Sequence, residues 1–580
     1  MEQREKVNIF TNYTESIDIR TLNFGENYGQ KELKHSTFLV VVDHLGQQDD
    51  KFVIYSNGLH VLIVNNTWAK EGFLLSRMRQ EESIAANEAD YFHDKVGILI
   101  GIDSDGHICA WTDRFSSIPC YFAKINGKSY LSNDIGVLLS IVNNKELDLV
   151  GLWEKLLFDF CMANRTPYKD IKQLPFASKV CLGGGCDELI NSKYWNFKFE
   201  TGDKTKIDEV AFEIKQRLIK QIISIAGVDK IILPISGGLD SRLLAYLVSE
   251  AVDPEKIITV NFASSKRSLD HIYAGEICSS LGIRKPIFHI IDEQSYKKAI
   301  PFLTNMTAGI ISPAHAHLLS WLTTLNDASN NYTMIHGFFA DASGGFASTL
   351  SSDSSVSSLE QWKLLTFAEK QYLMPNIITD EIREDICSVK KWWENGSSIT
   401  SLKEYLYVAV KHPAFHLALA DLYGRFVNKL YLPHCQPRIA DLFFELPPSL
   451  RLAKRGVREI IRILNPKLSK IKDVSSFPHA FTPDMKGRIA LTKFKIFNLL
   501  ESGMGRISNG KVMPFNKFQT ERQSFILRGP LKKDVIYAIR YLIKIGILTE
   551  NIERSAYAKG WSCGFLFTCL GMADAIRKVE

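Results

Sequence analysis

The stretch DKIILPISGGLDSRLLAYLVSE, Asp229 to Glu250, decides how the rest of the chain is read. The apolar run from Ile231 to Ile235 has the length of a buried strand, and RLLAYLVSE resumes at once with helical spacing. Between them stands Ser-Gly-Gly-Leu-Asp-Ser. A tight turn at the carboxyl end of a strand is where open α/β sheets bind ligands. Its glycines let backbone N–H groups converge on an anion, and the following helix adds the positive end of its dipole. Ser236 and Ser241 add hydroxyl groups. Asp240 would repel a bare phosphate and makes sense where Mg2+ stands between carboxylate and phosphates. The string has neither the GK[ST] of a Walker loop nor the GxGxxG of a dinucleotide site.

Working outward, EVAFEIKQRLIKQIISIAG reads as an amphipathic helix, KIITVNFAS and KPIFHII as strands, and LDHIYAGEICSSLG as the helix between them. Strand and helix alternating at this spacing predict βαβ units, a parallel sheet and an α/β fold. MIHGFFADASGG reads as a later strand ending in a glycine-rich turn. From about residue 356 onward the pattern is mostly helical, preceded by the serine-rich loop STLSSDSSVSS (348–358).

The grammar differs before residue 200. From Thr37 to about Tyr130, short apolar runs are punctuated by the turn signals SNG, DSDG and NGK, which predicts a β-rich region. Short helices follow in IGVLLSIV and LVGLWEKLLFDF. GGGC (183–186) and YWNFKF (194–199) predict a final hairpin and an exit strand, and ETGDKTKID (200–208) a linker. Two domains result, 1–200 and 208–580.

Composition narrows the class. A chain of 580 residues is too long for one core. With 46% hydrophobic and 23% charged residues it reads as an ordinary soluble globular protein. The net charge of +6 comes without a long basic run, which argues against nucleic acid as a partner. No apolar stretch is long enough to span a bilayer, and MEQREKVNIFTNYTES lacks the apolar core of a secretory signal. The ten cysteines show no CxxC or zinc-type spacing, so reduced thiols and a cytoplasmic location are expected. His315 and His317 in SPAHAHLL have no acidic or cysteine partner nearby in sequence and read as pocket or core residues rather than metal ligands.

Ser-Gly-Gly-x-Asp-Ser resembles the pyrophosphate loop of the N-type ATP pyrophosphatases, which cleave ATP between the α and β phosphates and leave an adenylated substrate. The resemblance implies ATP held by Ser236, Gly237, Gly238, Leu239, Asp240 and Ser241, with adenine against the backbone near Val260 and Phe262. Asp270 and Ala274 match the segment that follows. HGFFADASGGF (336–346) is similar to the Gly-x-Gly-Ala-Asp-Glu-x-x-Gly-Gly segment of asparagine synthetases, carried here by Gly337, Asp341, Gly344 and Gly345. That resemblance makes Gly337 a nucleotide contact and Asp341 the second magnesium carboxylate beside Asp240. LSKIKDVSSF resembles the family's basic loop, with Lys472, or else Lys470, as the catalytic cation for the α-phosphate. Asp113, Arg114, Phe115, Pro119 and Tyr121 keep the spacing of the family's amidotransferase domain. The implied fold is an Ntn-like αββα sandwich followed by a parallel-sheet ATP pyrophosphatase domain with a largely helical C-terminal part.

The departures are informative. Glutamine-using members begin Met-Cys, whereas this chain reads Met-Glu-Gln and its first cysteine is Cys109, so glutaminase activity is not expected. Phe338 stands where the family has a glutamate thought to assist ammonia attack, Ala342 follows the metal aspartate, and Phe346 replaces a tyrosine. Arg242 follows the loop where an aliphatic residue or serine is common; it would either bind a carboxylate or lie idle on a surface. The resemblance implies an ATP- and Mg2+-dependent amide ligase. Its substrate would be a small-molecule or sugar-linked carboxylate, such as a uronic acid of a surface polysaccharide. Its nitrogen donor would be ammonia, with a separate glutaminase as one source, or an amine. An ammonia-using asparagine synthetase, a β-lactam- or lasso-peptide-type cyclase, a homodimer and an inactive scaffold remain open alternatives.

Overall fold

The computed structural model describes strands at 7–11, 29–35, 38–44, 52–54 and 60–64, then residues 96–473 and 531–579 apart from 103–107, 126–127, 143–144, 183–191, 200–206, 228–229, 264–265, 267, 323–331, 349–351, 371–372, 375, 425, 428 and 553–562. The expected turns SNG and DSDG, most of NGK, the GGGC segment and most of the linker lie outside the described residues.

Two six-stranded antiparallel sheets form the N-terminal part. The strands are β1 (Val7–Thr11), β2 (Gly29–His35), β3 (Phe38–His44), β4 (Phe52–Ile54), β5 (His60–Val64), β6 (Gly97–Ile102), β7 (Ile108–Thr112), β8 (Tyr121–Ile125), β9 (Lys128–Ser132), β10 (Ile171–Gln173), β11 (Ser178–Leu182) and β12 (Ser192–Lys193). One sheet runs β10-β8-β9-β1-β3-β2 and the other β12-β11-β7-β6-β5-β4. Helices α1 (Ile135–Ile141) and α2 (Leu149–Phe158) follow where IGVLLSIV and LVGLWEKLLFDF predict them, each with an aspartate side chain capping its first turn.

The second part is built on a parallel sheet of β13 (Lys230–Pro234), β14 (Ile257–Ala263), β15 (Ile287–Ile290), β16 (Tyr332–Ile335) and β17 (Lys429–Tyr431), in the order β15-β14-β13-β16-β17. Ile231, Ile232 and Leu233 are all buried, as a central strand covered on both faces requires. Helices α3 (Ile207–Ala226), α4 (Leu239–Ala251), α5 (Leu269–Ser280) and α6 (Glu293–Thr307) alternate with the strands. The strand order reverses between β13 and β16, so the loops leaving their carboxyl ends face one crevice.

Three expectations need correction. Among the described residues after 356 the chain is mostly helical, as expected, but it also contributes β17, a three-residue edge strand too short to show a period. YWNFKF is not a strand. Its rings bury themselves instead: Phe197 packs on Phe115, Phe176 and Tyr405, and Phe199 stacks on Phe444 at 4.8 Å. The thiols are not uniformly reduced. Cys181 is disulfide-bonded, and Cys109 is the residue facing it across the β7–β11 ladder. Cys120, Cys161, Cys278, Cys387, Cys435 and Cys569 are free thiols.

One apolar core crosses the two parts, taking in Phe115, Trp153 and Phe197 together with Ile232, Phe339 and Phe444. Arg114 lays its guanidinium against both oxygens of Asp441 at 3.0 Å, and the Tyr168 hydroxyl donates to the Ala308 carbonyl at 2.8 Å. No helix among the described residues is long and apolar enough to cross a membrane.

Candidate active site at the sheet switch point

The loop after β13 is held in shape from within. The Ser241 hydroxyl accepts from the Ser236 amide at 3.1 Å and lies 2.9 Å from the Ser236 hydroxyl, which in turn accepts from the Gly238 amide at 3.2 Å. The Gly237 amide donates to Asp270 at 2.9 Å, and Asn261 holds the other oxygen of Asp270 at 2.9 Å. The amides expected to await an anion at Gly237 and Gly238 therefore have partners within the protein. The chain runs close here: a Cβ at Gly237 would come within 3.1 Å of the Tyr273 Cβ and 3.3 Å of the Asp270 backbone, a tight fit. Burial raises the Asp270 carboxyl, against the pull of these hydrogen bonds.

Asp240 lies in the first turn of α4 and forms an ion pair with Lys454. Its other oxygen, Oδ1, is buried and has no hydrogen-bond partner among the described residues. A buried carboxylate lone pair left this way is costly unless a cation or donor reaches it. The donor chemistry thus fits Mg2+, a hard ion that takes oxygen ligands.

Lys454 was not singled out from the sequence. It stands in LRLAKRG, in a turn where Ala453 and Lys454 both take left-handed backbone conformations, φ 54° and 57°. Two consecutive non-glycine residues in that region store strain, and such strain gathers at functional sites. The turn is pressed against the second loop: Gly345 has φ 86°, and a Cβ there would lie 2.2 Å from the Arg451 carbonyl oxygen. Behind it Arg451 pairs with the buried Glu404, which also accepts from Ser348 at 2.5 Å.

Asp341 follows β16, in the short helix Ala340–Ser343. Its carboxylate accepts from the Tyr407 hydroxyl at 2.6 Å and from the Ala342 amide at 3.1 Å, and it lies 2.8 Å from His412 Nε2. Burial alone would raise this carboxyl; His412, His416 and Lys454 outweigh it and hold it well below the usual carboxylate range. Tyr407, His412 and His416 come from Tyr407–Leu417, an eleven-residue π-helical stretch containing Pro413. The His412 and His416 rings stack at 4.1 Å. Burial, followed by the neighbouring His412, holds His416 well below the usual imidazole range. Burial and then Asp341 raise the Tyr407 phenol. π-Helical stretches are rare and concentrate at functional sites. Lys454 bonds to Asp240, and its charge, after those of the two histidines, is among those that lower the Asp341 carboxyl.

The remaining expected positions make contacts of their own. Gly337 sits between His336 and Phe338, whose rings stack at 3.8 Å. The Val260 carbonyl accepts from the Ile235 amide at 2.8 Å, and Phe262 stacks on Trp321 at 6.3 Å. Lys472 and Lys470 are exposed. Arg242 is neither a carboxylate receptor nor idle. It is buried and donates to the carbonyls of Leu468, Ile471 and Lys472 at 3.2, 2.6 and 2.7 Å, tying the lysine loop to the Gly237 carbonyl at 3.4 Å. His315 meets Asp159 at 3.1 Å, and His317 meets the Tyr296 hydroxyl at 2.9 Å. Asp159 lies far back in the sequence, which is why no partner was visible beside these histidines.

No curated protein matches the chain. Residues 212–305, from α3 through the loop after β13 and on into α6, match the family model described as NAD synthase, and this match supports an ATP pyrophosphatase unit with ATP-utilising, ligase-like activity.

Proposed function

We propose that the protein is an asparagine synthetase-like amide ligase that adenylates a substrate carboxylate and passes the acyl group to ammonia or an amine. The observation carrying this reading is the convergence on Lys454 of two loops from adjacent parallel strands, one bringing Asp240 and the other Asp341. In this reading residues 1–200 are an Ntn-like amidotransferase domain without glutaminase activity, and 208–580 form the synthetase. ATP lies over Ser236–Ser241, with Gly337, Val260 and Phe262 at the base of its site.

The substrate carboxylate oxygen attacks the α-phosphorus and the α–β bond breaks. Pyrophosphate departs with the bonding pair, leaving an acyl-adenylate. The nitrogen nucleophile then attacks the acyl carbon, AMP leaves, and the amide forms once nitrogen loses a proton. A free carboxylate is a poor electrophile, whereas an acyl-adenylate has a good leaving group. Asp240 and Asp341 would hold Mg2+, which supplies charge neutralisation for the phosphates. Ser236 and Ser241 offer hydroxyls to the departing diphosphate. Lys454, paired with Asp240, and Lys472, on the loop tied down by Arg242, supply positive charge that counts most as pyrophosphate develops its own negative charge. The substrate class is a small or sugar-linked carboxylate, with uronic acids of surface polysaccharides the first to try.

The test is ATP–pyrophosphate exchange with aspartate, sugar uronates and peptide acids in turn. Exchange that depends on one class identifies the carboxylate. An absence of exchange with every class, together with no binding of ATP to the purified chain, defeats the reading.

A further inference from the structure

We propose that Asp341, His412 and His416 form a binding site for one divalent transition-metal ion of the class that accepts imidazole ligands, Mn2+, Fe2+, Co2+ or Zn2+. One donor atom from each of the three residues lies within 4.8 Å of those of the other two. Both imidazoles also carry an Nδ1 atom that is buried and has no hydrogen-bond partner among the described residues. His412 is fully buried, so no water shell satisfies its ring from outside. A neutral imidazole has one lone pair to give, and a buried lone pair without a donor is a place for a proton or a metal.

The donor set decides the ion. Two imidazole nitrogens with one carboxylate suit borderline first-row ions and suit Mg2+ poorly, because Mg2+ prefers oxygen and gives up water reluctantly. Three protein ligands leave positions open for water or for an oxygen or nitrogen of a substrate. Asp341 comes from the loop after β16 and both histidines from one π-helical stretch, so two framework elements fix the spacing. Lys454, the nearby cation, is already paired with Asp240 and adds little net repulsion. The inference does not need the ATP reading: the ion binds through these three side chains whether or not nucleotide is present.

The experiment uses the full chain, stripped with chelator and titrated with Co2+ without ATP. Visible d–d absorption saturating near one equivalent is expected, with His416→Gln weakening binding by at least about 10-fold. His416 is only half-buried, and circular dichroism checks that the variant folds. Zinc-edge X-ray absorption on the loaded, unmutated chain counts imidazole ligands without relying on any variant; two are expected. No Co2+ bands below millimolar concentration, bands unchanged in a folded His416→Gln chain, fewer than two imidazoles on zinc, or displacement of Co2+ by an equal concentration of Mg2+ would each overturn the proposal. Failure of pyrophosphate exchange would leave these readouts untouched, so the two readings fail separately.

Discussion

Lys454 shows how much a single side chain can decide. It is nearly buried, strained in its backbone and bonded to Asp240 in the turn after β13. Replacing it by methionine keeps the length and removes the charge. Lys454→Met should lower the exchange rate by about 100- to 1000-fold, the scale seen when one preorganised donor is taken from a developing anion. An equal rate in Lys454→Met would move the catalytic burden to Lys472. The glycine beneath it is more exacting. Gly345 takes a left-handed φ, and any Cβ there would strike the Arg451 carbonyl. Gly345→Ala should cost about 2–4 kcal/mol, read as a lowered urea midpoint, because both the backbone preference and the close approach are violated. Asp240 and Asp341 were legible in the sequence because each follows a strand and sits among glycines. Lys454 was not, since alanine and lysine give no local sign that a chain will turn left-handed.

Elements place these residues, and here the sequence was legible in part. β13 to β16 announce themselves as apolar runs separated by helical periods, which is why the parallel sheet could be foreseen. β17 could not, because its three residues carry no alternation. The π-helical stretch was equally hidden: YVAVKHPAFHL contains a proline that argues against a regular helix and nothing that argues for a wider one. Arg242 joins two elements that sequence reading kept separate. It reaches from α4 to three carbonyls in segment 468–473; the Leu468 carbonyl also accepts from the Ile471 amide, whereas those of Ile471 and Lys472 lose this side-chain donor when Arg242 is removed. Arg242→Leu should free that segment. Trypsin would then cut after Lys470 or Lys472 markedly faster than in the unmutated chain, while far-UV circular dichroism stays the same. Unchanged cleavage would mean that the segment is held by other contacts.

At the scale of the whole molecule, protonation links the site to stability. Burial lowers His434 to about 4 and His336 to about 3, from an ordinary value of 6.5. Both folded values lie below the unfolded one, so between them the unfolded chain binds more protons. The stability these residues share with the neutral pH form is intact above about pH 6.5 and declines as pH falls toward 4. The slope is at most about 1.4 kcal/mol per pH unit for each histidine. Urea unfolding at pH 7, 6 and 5 measures it, and His434→Asn should make the dependence shallower. A profile unaltered by that substitution would assign the loss to other groups.

The contact between Arg114 and Asp441, with Phe115 set against Phe339 at 4.5 Å, has a bearing on what the chain can lose. The N-terminal part thus supplies one wall of the core on which the parallel-sheet part closes, so deleting it would bare an oily flank and invite aggregation.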